Sequence, residues 1–334
     1  MHEISVIIPA YNVENYIGKI INDLENQTFK DFELIIIDDC SKDNTLKIIK
    51  ESLKNSSMNY QVIISSENGG VSKARNIGMN RASGKYLYFV DADDRIEKEC
   101  LYTLKQDIED LQADISIVNY NFTDEKLNVL PNSLSFPFNH RINYESHEFL
   151  EKVIKGYYLV YIGSLLYSKA LIDKHKTKFV EGAKAGEDRE FLIKAIYHSN
   201  KITLNNRILF HYVQNQISST RNKDYVFSVF HNIGTFYRVA KYLEKQNASK
   251  EILDYIYEIR IPENIVDALR KLMLSGYPKD KLKLILKNKK IKEAIKKYKF
   301  SVRTKKDLKR SIKIYLFRLW PGMFYTVSKL RRVK

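Results

Sequence analysis

The chain has 334 residues, 44% of them hydrophobic, with 12 glycines, 6 prolines and 2 cysteines. This excludes a disordered, collagen-like or disulfide-stapled protein and leaves room for one large α/β domain plus a smaller appendage. The net charge of +16 is concentrated at one end: residues 270–334 carry 23 basic and 3 acidic side chains, and the rest of the chain 33 and 37. A basic terminal region points to an anionic surface as partner, and the sign alone does not separate lipid from nucleic acid.

Met1-His2-Glu3 run straight into an apolar stretch, without the basic segment and cleavage site of a secretion signal. The uncharged run over 156–168 falls well short of the roughly 20 residues a spanning helix needs. Cys40 and Cys100 show no metal-ligand spacing. The expected setting is the reducing cytoplasm.

Strand and helix signals alternate over the first 120 residues. Ile-Ser-Val-Ile-Ile-Pro (4–9) is a short apolar run closed by proline, as in a buried strand. Residues 15–25 put Ile17, Ile20, Ile21 and Leu24 on one helical face. Residues 32–37 predict a second strand, stopped by Asp38-Asp39, and Asp43 then reads as the N-cap of a helix carrying Leu46, Ile49 and Leu53. A third strand is expected at 62–65, a helix after Gly69-Gly70, and a fourth strand at 86–90, ending in Asp91-Ala92-Asp93-Asp94. A fifth is placed at 115–118. Such alternation predicts a mainly parallel sheet covered by helices on both faces, with ligands bound beyond the carboxyl ends of its strands.

Beyond this the pattern weakens. Residues 121–147 read as a polar, aromatic-rich loop or hairpin, 157–166 as a strand and 187–197 as a helix. Helical periodicity returns at 225–246, 251–274 and 279–298, which sets a boundary near residue 222.

Three carboxylate groups stand out. Asp91 and Asp93, two apart at a strand end, point the same way and suit a hard divalent cation shared with a diphosphate, Mg²⁺ or Mn²⁺; taken singly, the cluster is also an ordinary polar turn. Asp38-Asp39 can close a strand, or accept a ring N–H from a base. Glu187-Asp188 sit where any helix favours acidic residues, and also where an ionised carboxylate can serve as general base. Neighbours on a helix diverge by about 100°, so the two cannot both face one substrate.

The segments Ser5-Val6-Ile7-Ile8-Pro9-Ala10-Tyr11-Asn12, Ile36-Ile37-Asp38-Asp39-Cys40-Ser41-Lys42-Asp43, Asn68-Gly69-Gly70-Val71-Ser72-Lys73-Ala74-Arg75-Asn76-Ile77-Gly78, Asp91-Ala92-Asp93-Asp94 and Glu187-Asp188 together resemble glycosyltransferase family 2, in order and spacing, over residues 4 to about 220. The resemblance implies a GT-A fold, a nucleotide-sugar donor, a divalent metal and inversion at the anomeric carbon. It implies that Pro9, Ala10, Tyr11 and Asp39 hold the nucleobase, usually uracil, assisted by Asn68 and Arg75. Asp91 would touch the ribose or a metal-bound water, Asp93 would ligate the metal, Asp188 would deprotonate the acceptor hydroxyl and Glu187 would support the site.

Two positions depart from the family pattern. Cys40 stands where glycine is commoner. Val213 precedes Ser218 by the spacing at which the family often has arginine. His211, in the same stretch, reads either as a metal or diphosphate ligand or as a packed strand histidine.

The expected activity is transfer of a single sugar from a UDP-sugar to a glycan or lipid-linked glycan in bacterial surface polysaccharide synthesis. A sugar nucleotidyltransferase would show a Gly-rich basic loop after the first strand, which 10–15 lack. A catalytically inactive scaffold is the other alternative, and a nucleic-acid binder would be expected to carry its charge on the motif-bearing body.

In the basic region, Ile291, Ile295 and Tyr298 share one helical face, and Leu308, Ile312, Tyr315 and Leu319 another, followed by Trp320, Phe324 and Tyr325. Apolar stripes bordered by lysines predict helices lying in a membrane interface, which would place the protein peripherally on the inner face of the cell membrane. The other readings are packing on the catalytic body and homo-oligomerisation.

Overall fold

A computed structural model of the chain describes residues 2–131, 136, 140–183, 185–214, 225–300, 302 and 304–321. The chain divides into two units, residues 1–183 with 187–218 and residues 184–186 with 219–334. The expected boundary near 222 lies outside the described residues, as do Ser218, Phe324 and Tyr325.

In the first unit β1 (Ile4–Ala10), α1 (Ile17–Glu25), β2 (Phe32–Asp38), α2 (Thr45–Leu53), β3 (Asn59–Ile64), α3 (Val71–Arg81) and β4 (Tyr86–Phe89) alternate as the sequence predicts. They are followed by β5 (Arg95–Ile96), α4 (Cys100–Asp110), β6 (Ile115–Thr123), β7 (Ile142–Glu145), α5 (Ser146–Lys155), β8 (Leu165–Ser168), α6 (Lys169–Lys174), α7 (Glu187–His198) and β9 (Lys201–Val213). Among the described residues these nine strands form one sheet in the order β3-β2-β1-β4-β8-β6-β9-β5, with β7 also on β9.

Strands β1, β2, β3 and β4 are mutually parallel, so their carboxyl ends share one edge. Past β4 the sheet is mixed: β8 runs antiparallel to β4 and β6, and β9 parallel to β6. The chain leaves β1 first toward β2 and β3, then returns to place β4 on the other side of β1. That reversal opens the crevice in which sheets of this type bind ligands. Apolar side chains fill both faces here; Ile4, Val6, Ile7, Ile8 and Leu34 to Ile37 are fully buried. Gly78 of α3 permits the helix to lie this close, since a Cβ there would meet Ile7 Cγ2 at 2.4 Å.

The expected strand at 157–166 is shortened to Leu165–Ser168, preceded by a single 3₁₀ turn at Ile162–Ser164. Its carbonyls find side chains instead of a ladder: the Tyr120 hydroxyl donates to Leu159 O and that of Tyr88 to Gly163 O. The stretch 121–147, read as a loop or hairpin, contains the end of β6 and all of β7.

The second unit is helical: α8 (Tyr225–Lys245), α9 (Lys250–Tyr255), α10 (Ile261–Leu274), α11 (Lys279–Lys287), α12 (Lys289–Lys296) and α13 (Lys305–Leu319). A π turn over Ile256–Arg260 joins α9 to α10 into one continuous rod. The expected single helix at 279–298 is two, because the Asn288 side chain accepts the backbone N–H groups of Lys290 and Ile291 and starts a new helix there. Helix α10 packs against α8, α12 and α13 through Ile265, Val266, Leu269 and Leu272. No helix among the described residues is long and apolar enough to cross a membrane.

Candidate active site

The carboxyl ends of β1, β2 and β4 carry the motifs. After β1, Asn12 takes a left-handed backbone (φ 51°), as does Cys40 after β2 (φ 63°). The two turns are laced together: Asn12 N–H donates to Ser41 Oγ at 3.1 Å, Lys42 N–H to Asn12 Oδ1 at 2.8 Å, and Asp39 N–H to Ala10 O at 2.8 Å. Asparagine tolerates this conformation, whereas cysteine occupies it at a cost, which explains why glycine suits position 40. Tyr11 is 41% exposed beside these turns.

Asp39 is 3% exposed, and both its oxygens are held: Oδ1 accepts Gly69 N–H at 3.0 Å and Oδ2 accepts Gly70 N–H at 2.6 Å. Gly70 makes this possible with φ 82° at the N-terminus of α3, a conformation that side chains resist. Asn68, next to this loop, is exposed.

Arg75 of α3 is 2% exposed and bridges two motifs, with Nη2 2.6 Å from Asp91 Oδ1 and Nη1 3.4 Å from Glu187 Oε1. Its guanidinium lies 5.1 Å from the centroid of the Phe179 ring. Phe179 is held in turn by Asn76, whose side-chain amide donates to Phe179 O and accepts from Phe179 N–H, each at 3.0 Å. In the sequence Asn76 stands only as part of a motif, and the family resemblance implies that Arg75 assists at the nucleobase. Its ion pairs span 16 and 112 residues, which no local pattern reveals.

Asp91, Ala92, Asp93 and Asp94 form a turn closed by Asp94 N–H to Asp91 O at 3.1 Å. Asp94 is 3% exposed and accepts Val213 N–H at 3.1 Å, which ties the turn to β9. Burial raises its pKa well above the usual range, and the carboxylates of Asp93 and Asp91 add to this. So much negative charge in one turn is chemistry that a hard cation relieves. Among the described residues no three His, Cys, Asp or Glu side chains are grouped to hold a metal by themselves. A cation here fits if Asp93 supplies part of its shell and diphosphate oxygens the rest. His211 Nε2 lies 2.8 Å from Glu97 Oε1, on the stretch of β9 paired with β5.

Glu187 and Asp188 begin α7, immediately after Gly186 (φ 77°). Burial raises the pKa of Glu187, with Asp188 adding to this and Arg75 opposing it. Asp188 Oδ1 accepts Arg189 N–H at 2.7 Å. Tyr161 and Tyr212, with ring centroids 5.0 Å apart, join an aromatic cluster with Phe122 and Tyr120. The sequence marks the segment containing Tyr161 as a strand, and no motif singles out the tyrosine.

Residues 5–168 match the family described as Glycosyl transferase family 2. Glycosyltransferase GlyA of Streptococcus pneumoniae serotype 4 is 33% identical over 216 residues, 63% of this chain and 30% of the relative. The poly(ribitol-phosphate) beta-N-acetylglucosaminyltransferase TarS of Staphylococcus aureus is 28% identical over 246 residues, 72% of this chain and 40% of the relative. The chain thus spans well under half the length of these two relatives. In fold it resembles S. aureus TarS 1-349 in complex with UDP-GlcNAc, with a TM-score of 0.68 at 22% identity, covering 95% of this chain and 91% of that one. It also resembles the mannosyltransferase PcManGT of Pyrobaculum calidifontis in complex with GDP-Man and Mn²⁺, with a TM-score of 0.57 at 14% identity, covering 96% and 88%.

Proposed function

We propose, from the match of residues 5–168 to glycosyl transferase family 2, that the protein moves one sugar from a UDP-sugar to a glycan hydroxyl with inversion at the anomeric carbon, in bacterial surface glycan synthesis. One observation carries the reading: a single buried arginine, Arg75, joins the turn of Asp91 and Asp93 to the Glu187-Asp188 helix start beside the carboxyl ends of parallel strands. The N-acetylglucosamine donor in the complex of TarS makes UDP-GlcNAc the first candidate.

In this reading residues 1–221 are the transferase domain and 222–334 a basic helical region. Pro9, Ala10, Tyr11, Asn68 and Asp39 receive the uracil, with Asp39 already aimed by its two backbone donors, and Asp91 meets the ribose. A divalent cation, Mn²⁺ or Mg²⁺, held by Asp93 and the diphosphate would screen the leaving group's charge. Asp188 takes the proton from the acceptor hydroxyl as it attacks the face opposite the departing diphosphate. Arg75 balances Glu187 and Asp91, keeping the helix start and the acidic turn in register. His211 is engaged with Glu97 and is given no role in catalysis. A lipid-linked acceptor fits a protein placed at the inner face of the cell membrane by its basic region.

Calorimetry of UDP with and without Mn²⁺, with GDP, CDP and dTDP as controls, tests the donor site. UDP-selective, metal-dependent binding that Asp93→Ala weakens is expected. Absence of nucleotide binding would turn the reading toward an inactive scaffold, and preference for another nucleotide would remove the uracil role of Asp39.

A further inference from the structure

The two apolar stripes of the basic region have opposite fates within their own unit. On α12 and the turn after it, Ile295 and Tyr298 are 7% and 4% exposed and pack inward. On α13 the inward row is Arg310, Ser311, Ile314 and Phe317, all 4% exposed or less. Arg310 is drawn in by Glu263 at 2.9 Å and Asp307 at 3.0 Å, and Ser311 by the Tyr298 hydroxyl at 2.9 Å. The opposite row is left outside: Leu308, Ile312 and Leu319 are 40%, 54% and 59% exposed, and Trp320, at the helix end, 58%. Phe300, half exposed, packs edge-on against Tyr315 at 5.2 Å and widens the row. Exposed Lys305 and Lys309 border it on one side and Arg318 on the other.

We propose that this outward row of α13 docks on an anionic lipid surface, with Leu308, Ile312, Leu319 and Trp320 entering the headgroup layer and Lys305, Lys309 and Arg318 meeting lipid phosphates. The inference sharpens the membrane placement proposed above and is independent of the transfer chemistry. Charge selects the occupant. Residues 270–334 carry 23 basic against 3 acidic side chains, so a second copy laid on this face would bring like charges together, whereas an anionic bilayer is complementary. The residue types agree: aliphatic side chains at the centre, lysines able to reach outward from the rim, and an indole at the end. The helix is committed to this orientation by the burial of Arg310, because turning the row inward would strand that guanidinium from Glu263.

Trp320 is the single tryptophan of the chain, so the intact protein carries its own probe. Titration with phosphatidylglycerol–phosphatidylcholine vesicles is expected to shift its emission to the blue and to sediment the protein, while pure phosphatidylcholine does neither. Leu308→Ser combined with Ile312→Ser should weaken vesicle binding by more than tenfold at an unchanged melting temperature. Lys309→Gln should weaken it roughly fivefold, with the loss shrinking as salt rises. Three results would overturn the proposal: no shift with anionic vesicles, undiminished binding by the serine variant, or a blue shift that grows with protein concentration without lipid, which would assign the row to a second copy. UDP binding by the same preparation reports separately on the transferase reading.

Discussion

Among the described residues, each unit of this protein buries one arginine between carboxylates, and the two differ in what holds them. Arg75 joins Asp91 and Glu187, from two different motifs at the ligand edge of a sheet. Arg310 joins Glu263 and Asp307 inside helix packing, where Glu263 also has Arg260 at 2.7 Å and Lys313 at 3.9 Å. In the helical unit the charges back one another up. In the sheet unit Arg75 is the cation that balances both acids. A buried ion pair is therefore no sign of function by itself; its place in the topology is what sets Arg75 apart.

The comparison can be broken at several points. Asp188→Asn, which keeps the shape and removes the carboxylate proposed as base, should lower kcat by about 10²–10⁴-fold while UDP affinity stays within a few-fold; lost UDP binding would make Asp188 structural. Arg75→Met should cost about 3–5 kcal/mol of unfolding free energy, because Asp91 and Glu187 lose their shared cation, and should reduce transfer as well. Arg310→Met should cost only about 1–3 kcal/mol and leave UDP affinity unchanged, since Glu263 keeps other partners. Equal losses in denaturant melts of the two variants would erase the distinction.

The sheet unit also carries a pH effect below neutrality. His198 stacks on His175 with ring centroids 3.9 Å apart, and burial, with His175 adding to it, lowers its pKa from 6.5 to about 4. Between those values the unfolded chain binds the proton that the folded one refuses, so stability falls as pH drops from 6.5 toward 4. His198→Phe should flatten that slope in melts across this range. Smallest is Cys40→Gly, expected to stabilise by about 0.5–1 kcal/mol because it releases the left-handed backbone at φ 63°; a loss in chemical denaturation would mean that the thiol's packing outweighs the strain.

What was legible in the sequence follows from range. Strands β1, β2 and β4 are short apolar runs closed by proline or acidic residues, and each states its own limits, whereas β3 begins at Asn59, three residues ahead of the apolar run at 62–65. The site's acids were legible for the same reason, since they are the stops. Strand β9 was not predicted as an element: Asn205-Asn206-Arg207 interrupt its pattern, beside the irregular register between Val118 and Tyr120 of β6. Two-residue β5 exists only because β9 lies beside it. The link from Arg75 to Glu187 and the Asn76 clamp on Phe179 join residues more than a hundred positions apart, and only the folded sheet brings them together. Of the two amphipathic stripes, sequence named both and could not tell that one turns inward, because Arg310 and its partner Glu263 stand 47 positions apart.

The grip of Gly69 and Gly70 on Asp39 has a consequence for selectivity. Freezing a free side chain on association costs about 0.5–1.5 kcal/mol, and here the rotamer is fixed before any ligand arrives. Under the proposed reading, discrimination among bases would then rest on a template rather than on an adaptable contact. Lengthening or loosening the loop at 65–70 should blur the choice of nucleobase even though no atom of that loop need touch the base, much as a gauge loses its accuracy when its mount works loose.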